Sequence, residues 1–560
     1  MNSVSRCCVA ACIWMVCAVL HAASYDVIIR GGTVYDGTGF PGIVTDVAVS
    51  DDRIAAIGDL GDAEAVLVVD ASGLAIAPGF INMLSWAVGS LIQDGRGLSD
   101  IKQGVTLEVF GEGWSMGPLP EGDQGKALLQ DAMGEDAPPV EWQTLGEYLE
   151  YLEQKGVSPN VASFVGATTL RIHEIGFDDR PPSAEELERM KALTRQAMEE
   201  GAMGLGSSLI YPPAFFASTE ELIELASVVG EYGGRYISHM RSEGNRIEDS
   251  VAELIRIARE GGVGAEIYHL KMAGQQNWGK LPAITRMIED ARAEGLDITT
   301  DMYTYVAGGT SLTACFPPWA SEGGAEELLK RLRQPDSRAR IVAAMGENAD
   351  DWENLYYGAG PGGVLLSSVA NDDLRDLMGR TIADVASERG TDPAQTVVDL
   401  VLEAEGEIGA IYFLMSEDNV KRQIRLPWMS FGSDAAAMAP EGRFLERGTH
   451  PRAYGNFARL LGKYVREEKV ISLQEAVHRL TLLPATNLKI PDRGRLAPGF
   501  YADIAIFDPA VVRDRATFKQ PHQLAEGMVH VFVNGQQVLR DGEHTGALPG
   551  RVVRGPGYRP

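Results

Sequence analysis

Five polar residues stand where short apolar runs of the sequence end, and their types are those of metal ligands and general bases: Glu112, His239, His269, Asp301 and Asp434. The two histidines close the runs RYIS and AEIY about 30 residues apart, a spacing that fits one strand-helix unit. Imidazoles and carboxylates from different elements make catalytic zinc sites, which use three protein ligands and keep one position open. These residues predict a metal site, provided that the fold brings them together.

The elements that must position these residues are eight short apolar runs separated by helical stretches. The runs are LAIAPGFINM, VTLEVFGEG, NVASFVGA, AMGLGSS, RYISHM, AEIYHL, DITTDMY and WMSFGSD. Alternation of strands and helices predicts parallel βαβ units, and eight units predict a closed α/β barrel of the TIM-like (β/α)8 type. Such barrels carry their reactive groups at the carboxyl ends of the strands, so the five polar side chains are expected at one mouth.

The two ends of the chain predict a separate small β domain. Residues 24–75 and 491–560 alternate apolar and polar positions and contain turn pairs such as Asn534-Gly535. Each end alone has few strands to bury a face, so we expect the ends to share one β-sandwich. The barrel is then predicted over residues 76–490. The interval from Asp301 to Asp434 is too long for one unit, which predicts a subdomain inserted at about 313–425, before the last barrel strand.

Residues 1–23 have the layout of a cleaved secretory signal. Arg6 precedes an apolar run over residues 7–20, and small residues follow at positions 22–24. The alternative is a short membrane anchor, but the run is shorter than the roughly 20 apolar residues that a spanning helix needs. We therefore expect an exported protein, periplasmic or secreted by a bacterium, with no stable membrane insertion after cleavage.

The composition limits the classes of partner that the protein can bind and the disulfides that it can form. The formal net charge of -28 argues against nucleic acid, because such binding depends on Lys and Arg neutralising phosphates. Four of the five cysteines lie within residues 1–23, so the mature chain keeps only Cys315 and forms no internal disulfide. Cys315 has no nearby histidine in the sequence and is interpreted as a packed small residue.

Several longer motifs resemble one family in their order and spread. They are APGFIN, YISHMRSEG, IYHLKMAG, FGSDAA, HPRAYGNFARLL and LLPATNLKIPDRGRLAPGFYADIAIFDP. Together they resemble the D-aminoacylase branch of the amidohydrolase superfamily over nearly the whole mature chain. The resemblance implies a (β/α)8 barrel with a small β domain from both chain ends, zinc as cofactor, and hydrolysis of small N-acyl-D-amino acids at their linear amide bond.

The resemblance also implies roles for single residues. His239 and His269 would be metal ligands on the fifth and sixth strands, and Asp434 would be the base that takes a proton from water and passes one to the leaving amine. Arg452 and Tyr303 match the family's binders of the substrate α-carboxylate, a task that suits the planar fork of arginine.

Two departures from the family pattern concern the metal site. The family's His-x-His on the first strand is replaced here by Leu84, Ser85 and Trp86, and its ligand cysteine on the second strand is missing from GEGWS. Either Glu112 or Glu108 replaces that cysteine, or no residue does. We expect Glu112, because a carboxylate is a competent zinc ligand and with two histidines completes a site for one zinc.

Alternative functions remain open at this stage. A catalytically silent barrel that binds a ligand or partner would also explain the lost ligands, and a dipeptidase or another linear-amide hydrolase would use the same scaffold. Cyclic-amide hydrolysis is disfavoured, because Lys271 lies on the sixth strand, whereas hydantoinase-like enzymes carry a carbamylated lysine on an earlier strand that here has none.

Overall fold

The computed structural model describes residues 24–120 and 139–560, together with residues 122, 125, 126 and 129. The predicted signal over residues 1–23 lies outside the described residues. Within the described part of the chain, no helix is long and apolar enough to cross a membrane.

Eight parallel strands form the predicted barrel, in chain order Phe80–Asn82, Val105–Phe110, Asn160–Ser163 with Val165–Gly166, Gly204–Ser208, Arg235–His239, Gly264–Ile267, Ile298–Met302 and Met429–Phe431. Every residue of the second and fifth of these strands is buried, as expected for parallel strands that are covered on both faces. A parallel bridge between Ser85 and Ala435 joins the first strand to the last and closes the barrel.

Helices follow most barrel strands on the outside, as the alternating pattern predicts. Two of the described barrel helices begin at a capping box, in which a Ser or Thr side chain and a Glu three residues later satisfy each other's backbone N–H groups. The pairs are Thr144 with Glu147 and Ser183 with Glu186. The longer helices of the barrel are Leu145–Lys155, Ala167–Glu174, Ala184–Glu199, Thr219–Glu231, Ile247–Gly261, Leu281–Ala293, Glu417–Ile424, Arg452–Arg459, Leu473–Leu480 and Leu482–Asn487.

Both ends of the chain build the small β domain, as predicted. The amino-terminal strands are Ser24–Val34, Ile43–Ser50, Arg53–Gly58, Glu64–Asp70 and Ala75–Pro78, and the carboxyl-terminal strands are Ile504–Phe507, Met528–Val533, Gln536–Arg540 and Glu543–His544. The two groups join where Ala75–Pro78 pairs antiparallel with Ile504–Phe507. Because the first barrel strand follows directly at Phe80, this domain anchors the start of the barrel.

The inserted subdomain lies between the seventh and eighth barrel strands and contains an antiparallel sheet as well as helices. Its strands are Ala307–Ser311, Val364–Val369 and Ile408–Phe413, and its helices are Ala325–Arg333, Pro335–Met345, Leu355–Ala359, Ile382–Arg389 and Pro393–Glu403. The subdomain has an apolar core of its own. Cys315 is buried in that core, and its thiol lies 3.5 Å from the Tyr412 hydroxyl.

Candidate metal centre and active site

Glu112 lies two residues beyond the end of the second barrel strand, in a turn that requires glycine on both sides. Gly111 has φ 108° and Gly113 has φ 74°, values in the left-handed region that favours glycine. A side chain at Gly113 would also meet Ser208 at 2.7 Å. The Ser208 hydroxyl donates to the Glu112 carbonyl at 2.9 Å. This turn fixes the backbone of Glu112 at the mouth of the barrel.

The carboxylate of Glu112 meets both predicted histidine ligands. Its Oε1 lies 2.9 Å from Nδ1 of His239 and 2.9 Å from Nε2 of His269. One ligand atom from each residue lies within 4.8 Å of the others, and all three residues are buried. One carboxylate oxygen and two imidazole nitrogens match the donor set of a catalytic zinc site. The donor chemistry of these residues therefore fits zinc.

Charge is concentrated at this cluster. Burial alone would raise the pKa of Glu112, but the charges of His269 and His239 and the bonds from their rings hold it well below its usual range. Burial and Lys271 act to lower the pKa of His269, yet the carboxylates of Glu243 and Glu112 outweigh them and raise it to about 10. Two carboxylates facing these imidazoles provide the negative environment that a divalent cation requires.

A second buried layer supports the histidines and was not identified from the sequence. Glu243 Oε1 lies 3.0 Å from Nδ1 of His269, and both Glu243 oxygens accept from Lys271 Nζ, at 2.8 and 2.7 Å. Burial would raise the pKa of Glu243, but the charge of Lys271 lowers it to about 2. A carboxylate behind a ligating histidine fixes the orientation of the ring. In the sequence, the spacing of four residues between His239 and Glu243, in HMRSEG, is the pattern that could have indicated this supporting carboxylate.

Glu353 ties the inserted subdomain to this layer. Its Oε2 accepts a hydrogen bond from the backbone N–H of Glu243. Burial and the nearby Glu243 charge raise the pKa of Glu353 to about 7. The insertion thus contacts the support of the metal site directly.

Asp301 does not join the ligand cluster but holds the backbone of His269. Its Oδ1 accepts from the His269 N–H at 2.9 Å, and burial raises its pKa well above the usual value. His269 has φ 34° and Asp434 has φ 50°, conformations that non-glycine residues rarely adopt and that recur at functional sites. Of the five polar residues at the strand ends, Asp301 supports the backbone of His269, and the other four have side chains in the site.

Asp434, Arg452 and Tyr303 lie together, as their predicted roles require. Nη1 of Arg452 lies 2.9 Å from Oδ2 of Asp434, and its guanidinium carbon lies 4.5 Å from the centre of the Tyr303 ring. Burial raises the pKa of Asp434, and the charge of Arg452 partly opposes this effect. Arg452 Nε and the Tyr303 hydroxyl are buried without a hydrogen-bond partner among the described atoms. Both could donate to a carboxylate.

His450 positions the backbone of Arg452. Its Nδ1 accepts from the Arg452 backbone N–H at 3.0 Å, and its Nε2 lies 2.9 Å from the Ala307 carbonyl oxygen. These partners require a neutral ring that carries its proton on Nε2. Burial holds the pKa of His450 well below its ordinary value, in agreement with that state. His450 thus connects the helix that begins at Arg452 to the inserted sheet.

Glu108 and the two replaced positions of the first strand lie in different surroundings. Glu108 accepts from Asn82 Nδ2 at 2.9 Å, inside the barrel, and burial raises its pKa to about 7. Leu84 is fully buried in an apolar cluster that includes Val109. Trp86 faces the site, where its indole Nε1 donates to Glu112 Oε2 at 2.8 Å. The structure therefore brings Glu112, and not Glu108, to the two histidines.

The sequence matches known proteins over most of its length. The model of the amidohydrolase family matches residues 67–539. A D-aminoacylase from Alcaligenes xylosoxydans xylosoxydans is 35% identical over 531 residues, which covers 94% of this chain and 97% of that protein.

Two solved structures are similar over 95% of this chain and the whole of their own chains, each with a TM-score of 0.78. One is an N-acyl-D-glutamate deacylase from Bordetella bronchiseptica, 32% identical, in complex with zinc and a phosphonate that mimics the tetrahedral intermediate. The other is a D-aminoacylase, 34% identical, described as having a binuclear metal centre with one-metal activation and second-metal attenuation.

Proposed function

This chain belongs to the amidohydrolase family, in its D-aminoacylase branch, and on that premise we propose that it is a zinc-dependent hydrolase of N-acyl-D-amino acids or related small amides that carry a carboxylate. The observation that carries the proposal is the convergence of Glu112, His239 and His269 beside the Asp434–Arg452 pair. The preference for the D configuration is taken from the relatives.

Glu112, His239 and His269 would hold one zinc ion. When bound, zinc would polarise the scissile carbonyl and lower the pKa of a water molecule. We propose one ion per chain, because the family's ligand pair on the first strand is replaced by Leu84 and Trp86, and neither side chain coordinates zinc. Glu243, with Lys271, keeps His269 oriented.

Asp434 would transfer the protons of the reaction. Its carboxylate accepts a proton from the attacking water and then donates one to the nitrogen of the departing amine. Burial raises the pKa of Asp434 above that of an exposed aspartate, which favours an acid-base role. Its partner Arg452 keeps the carboxylate oriented and opposes excessive protonation.

Arg452 and Tyr303 would bind the α-carboxylate of the substrate. Arg452 Nε and the Tyr303 hydroxyl are buried donors without a partner among the described atoms, and the guanidinium carbon lies 4.5 Å from the Tyr303 ring centre, so both donors are available to a substrate carboxylate. A substrate carboxylate would then share Arg452 with Asp434, which places the amide to be cleaved next to the base. This geometry favours substrates whose carboxylate is adjacent to the amide nitrogen.

The experiment compares zinc-loaded and chelator-treated protein on matched substrates. The panel contains N-acetyl-D-amino acids with acidic, polar and apolar side chains, their L enantiomers, and dipeptides of both configurations. Hydrolysis of N-acetyl-D-amino acids that is lost on chelation and restored by zinc supports the proposal. Preference for dipeptides would favour a dipeptidase, and protein that neither binds zinc nor hydrolyses the panel would favour a silent binding protein.

We also propose that the chain is exported from a bacterial cell. The support is the sequence of residues 1–23, with Arg6, the apolar run and the small residues that follow it. Amino-terminal sequencing of the protein from fractionated cells tests this. Mature protein that begins near Ser24 in the periplasm or medium is expected, and full-length protein in the cytoplasm would reject export.

A further inference from the structure

The two oxygens of the Glu112 carboxylate have different partners. Oε1 faces the rings of His239 and His269, whereas Oε2 accepts a hydrogen bond of 2.8 Å from the indole Nε1 of Trp86. The Glu112 side chain is only 5% exposed, so solvent does little to satisfy Oε2 in place of the indole. The Trp86 bond is thus a specific, buried, charge-assisted contact.

An indole N–H can donate but can neither accept a hydrogen bond nor bind a metal. A carboxylate with both oxygens free could bind one ion through both, or bridge two ions. With Oε2 engaged by Trp86, only Oε1 is directed at the histidines. The contact therefore determines which oxygen is available to a metal: the carboxylate is left with one metal-binding oxygen, Oε1.

Trp86 is itself held by the barrel. Its backbone N–H donates to the Ala435 carbonyl at 3.0 Å, beside the Ser85–Ala435 bridge that joins the first and last strands. The Asp434 N–H donates to the Leu84 carbonyl at 2.8 Å. Because Trp86 lies on this segment, its indole N–H is held in position by the barrel and not by a flexible loop. Through the Leu84 carbonyl, the same segment also holds the backbone of Asp434, the proposed base.

We propose that Trp86 is a positioning residue for the metal site. Its indole N–H holds Oε2 of Glu112 and occupies the oxygen that a second metal ion would otherwise use. The residue that replaces a family histidine thus stabilises a one-metal site in which Glu112 contributes a single oxygen. This inference rests on the proposed function, because it assumes that Glu112 binds the metal.

Trp86→Phe tests the proposal, since it keeps an aromatic ring and removes the donor. Loss of a hydrogen bond to a metal ligand typically weakens metal binding by about 10- to 100-fold. We expect the zinc dissociation constant, measured by chelator competition, to rise by about that factor. Trp114→Phe is the matched control, because Trp114 is 39% exposed and lies on the same loop as Glu112. It should change the constant by less than about twofold.

Two spectroscopic measurements separate positioning from general damage to the fold. The visible absorption bands of the cobalt-substituted protein should shift in Trp86→Phe and stay unchanged in Trp114→Phe. In the unaltered protein labelled with 15N-tryptophan, the indole N–H signal assigned to Trp86 should resist exchange with solvent and persist after zinc is added. A Trp86 indole that exchanges freely in the zinc-loaded protein would overturn the proposal even if Trp86→Phe fails to fold.

The order of the measurements distinguishes the two hypotheses. Zinc binding by the unaltered protein is measured first, and its absence would reject the proposed function. If the unaltered protein binds zinc and Trp86→Phe binds it equally well with unchanged cobalt bands, the positioning role alone is rejected. Weaker zinc binding with shifted cobalt bands that occurs in Trp86→Phe, and not in Trp114→Phe, supports the positioning role.

Discussion

Replacing Arg452 by glutamine is the sharpest test of substrate recognition, because this side chain faces both the proposed base and the proposed carboxylate site. Its side chain is 4% exposed and its Nη1 lies 2.9 Å from Asp434 Oδ2. A hydrogen bond to a charged group contributes about 1.5–3 kcal/mol, so loss of the bond to the substrate should lower kcat/KM by about 10- to 150-fold.

The assay uses an N-acetyl-D-amino acid and its carboxamide analogue, which lacks the negative charge. Arg452→Gln should raise KM for the acid and have a much smaller effect on the carboxamide, with zinc content unchanged. Arg452→Lys is the control: it keeps the charge but not the planar fork, so an intermediate loss is expected. An equal loss on both substrates would refute carboxylate binding by Arg452.

The pH profile gives a second readout for the same variant. Burial raises the pKa of Asp434, and the charge of Arg452 lowers it. Removing that charge should raise the pKa further. Because a general base must be deprotonated, the acidic limb of kcat/KM should move to higher pH in Arg452→Gln and move little in Arg452→Lys. A limb that stays in place in Arg452→Gln would contradict the proposed coupling.

Three further predictions concern single residues. Asp434→Asn should keep zinc and lower kcat by about 10²- to 10⁴-fold, and near-normal kcat would rule out its role as base. His450→Phe removes the acceptor of the Arg452 N–H, a hydrogen bond of about 1 kcal/mol, and should therefore raise KM by about fivefold. His450→Asn is its control, because it keeps an acceptor for that N–H. A fall in kcat with unchanged KM in His450→Phe would contradict this role. Cys315, whose pKa burial raises to about 12, should react with iodoacetamide only after unfolding, and alkylation of the folded protein would show that it is accessible.

The barrel and its polar strand ends could be predicted because both depend on local pattern. Runs such as RYISH and the spacing from His239 to His269 reflect the repeating strand-helix unit, and unit length does not depend on distant contacts. The shared β domain followed from the need of each chain end for a partner sheet, which the pairing of Ala75–Pro78 with Ile504–Phe507 meets.

Other features depend on tertiary contacts that no local pattern encodes. The inserted strand Ala307–Ser311 has the sequence AGGTS, with little β propensity, and pairs with Ile408–Phe413 about 100 residues later. Side-chain alternation could not separate Glu112 from Glu108, because the strand ends at Phe110 and Gly111 turns the chain. The bond from Trp86 to Glu112 likewise depends on a tertiary contact, the parallel pairing that places the first and second strands side by side.

Zinc content per chain, measured together with hydrolysis of an N-acetyl-D-amino acid, tests the central claim most directly. The unaltered protein should hold one zinc per active chain. Glu112→Ala should lose both metal and activity, because only His239 and His269 remain, whereas Glu108→Ala should keep both. Two zinc ions per active chain would contradict the one-metal site, and full zinc and full rate in Glu112→Ala would contradict the proposed ligand set.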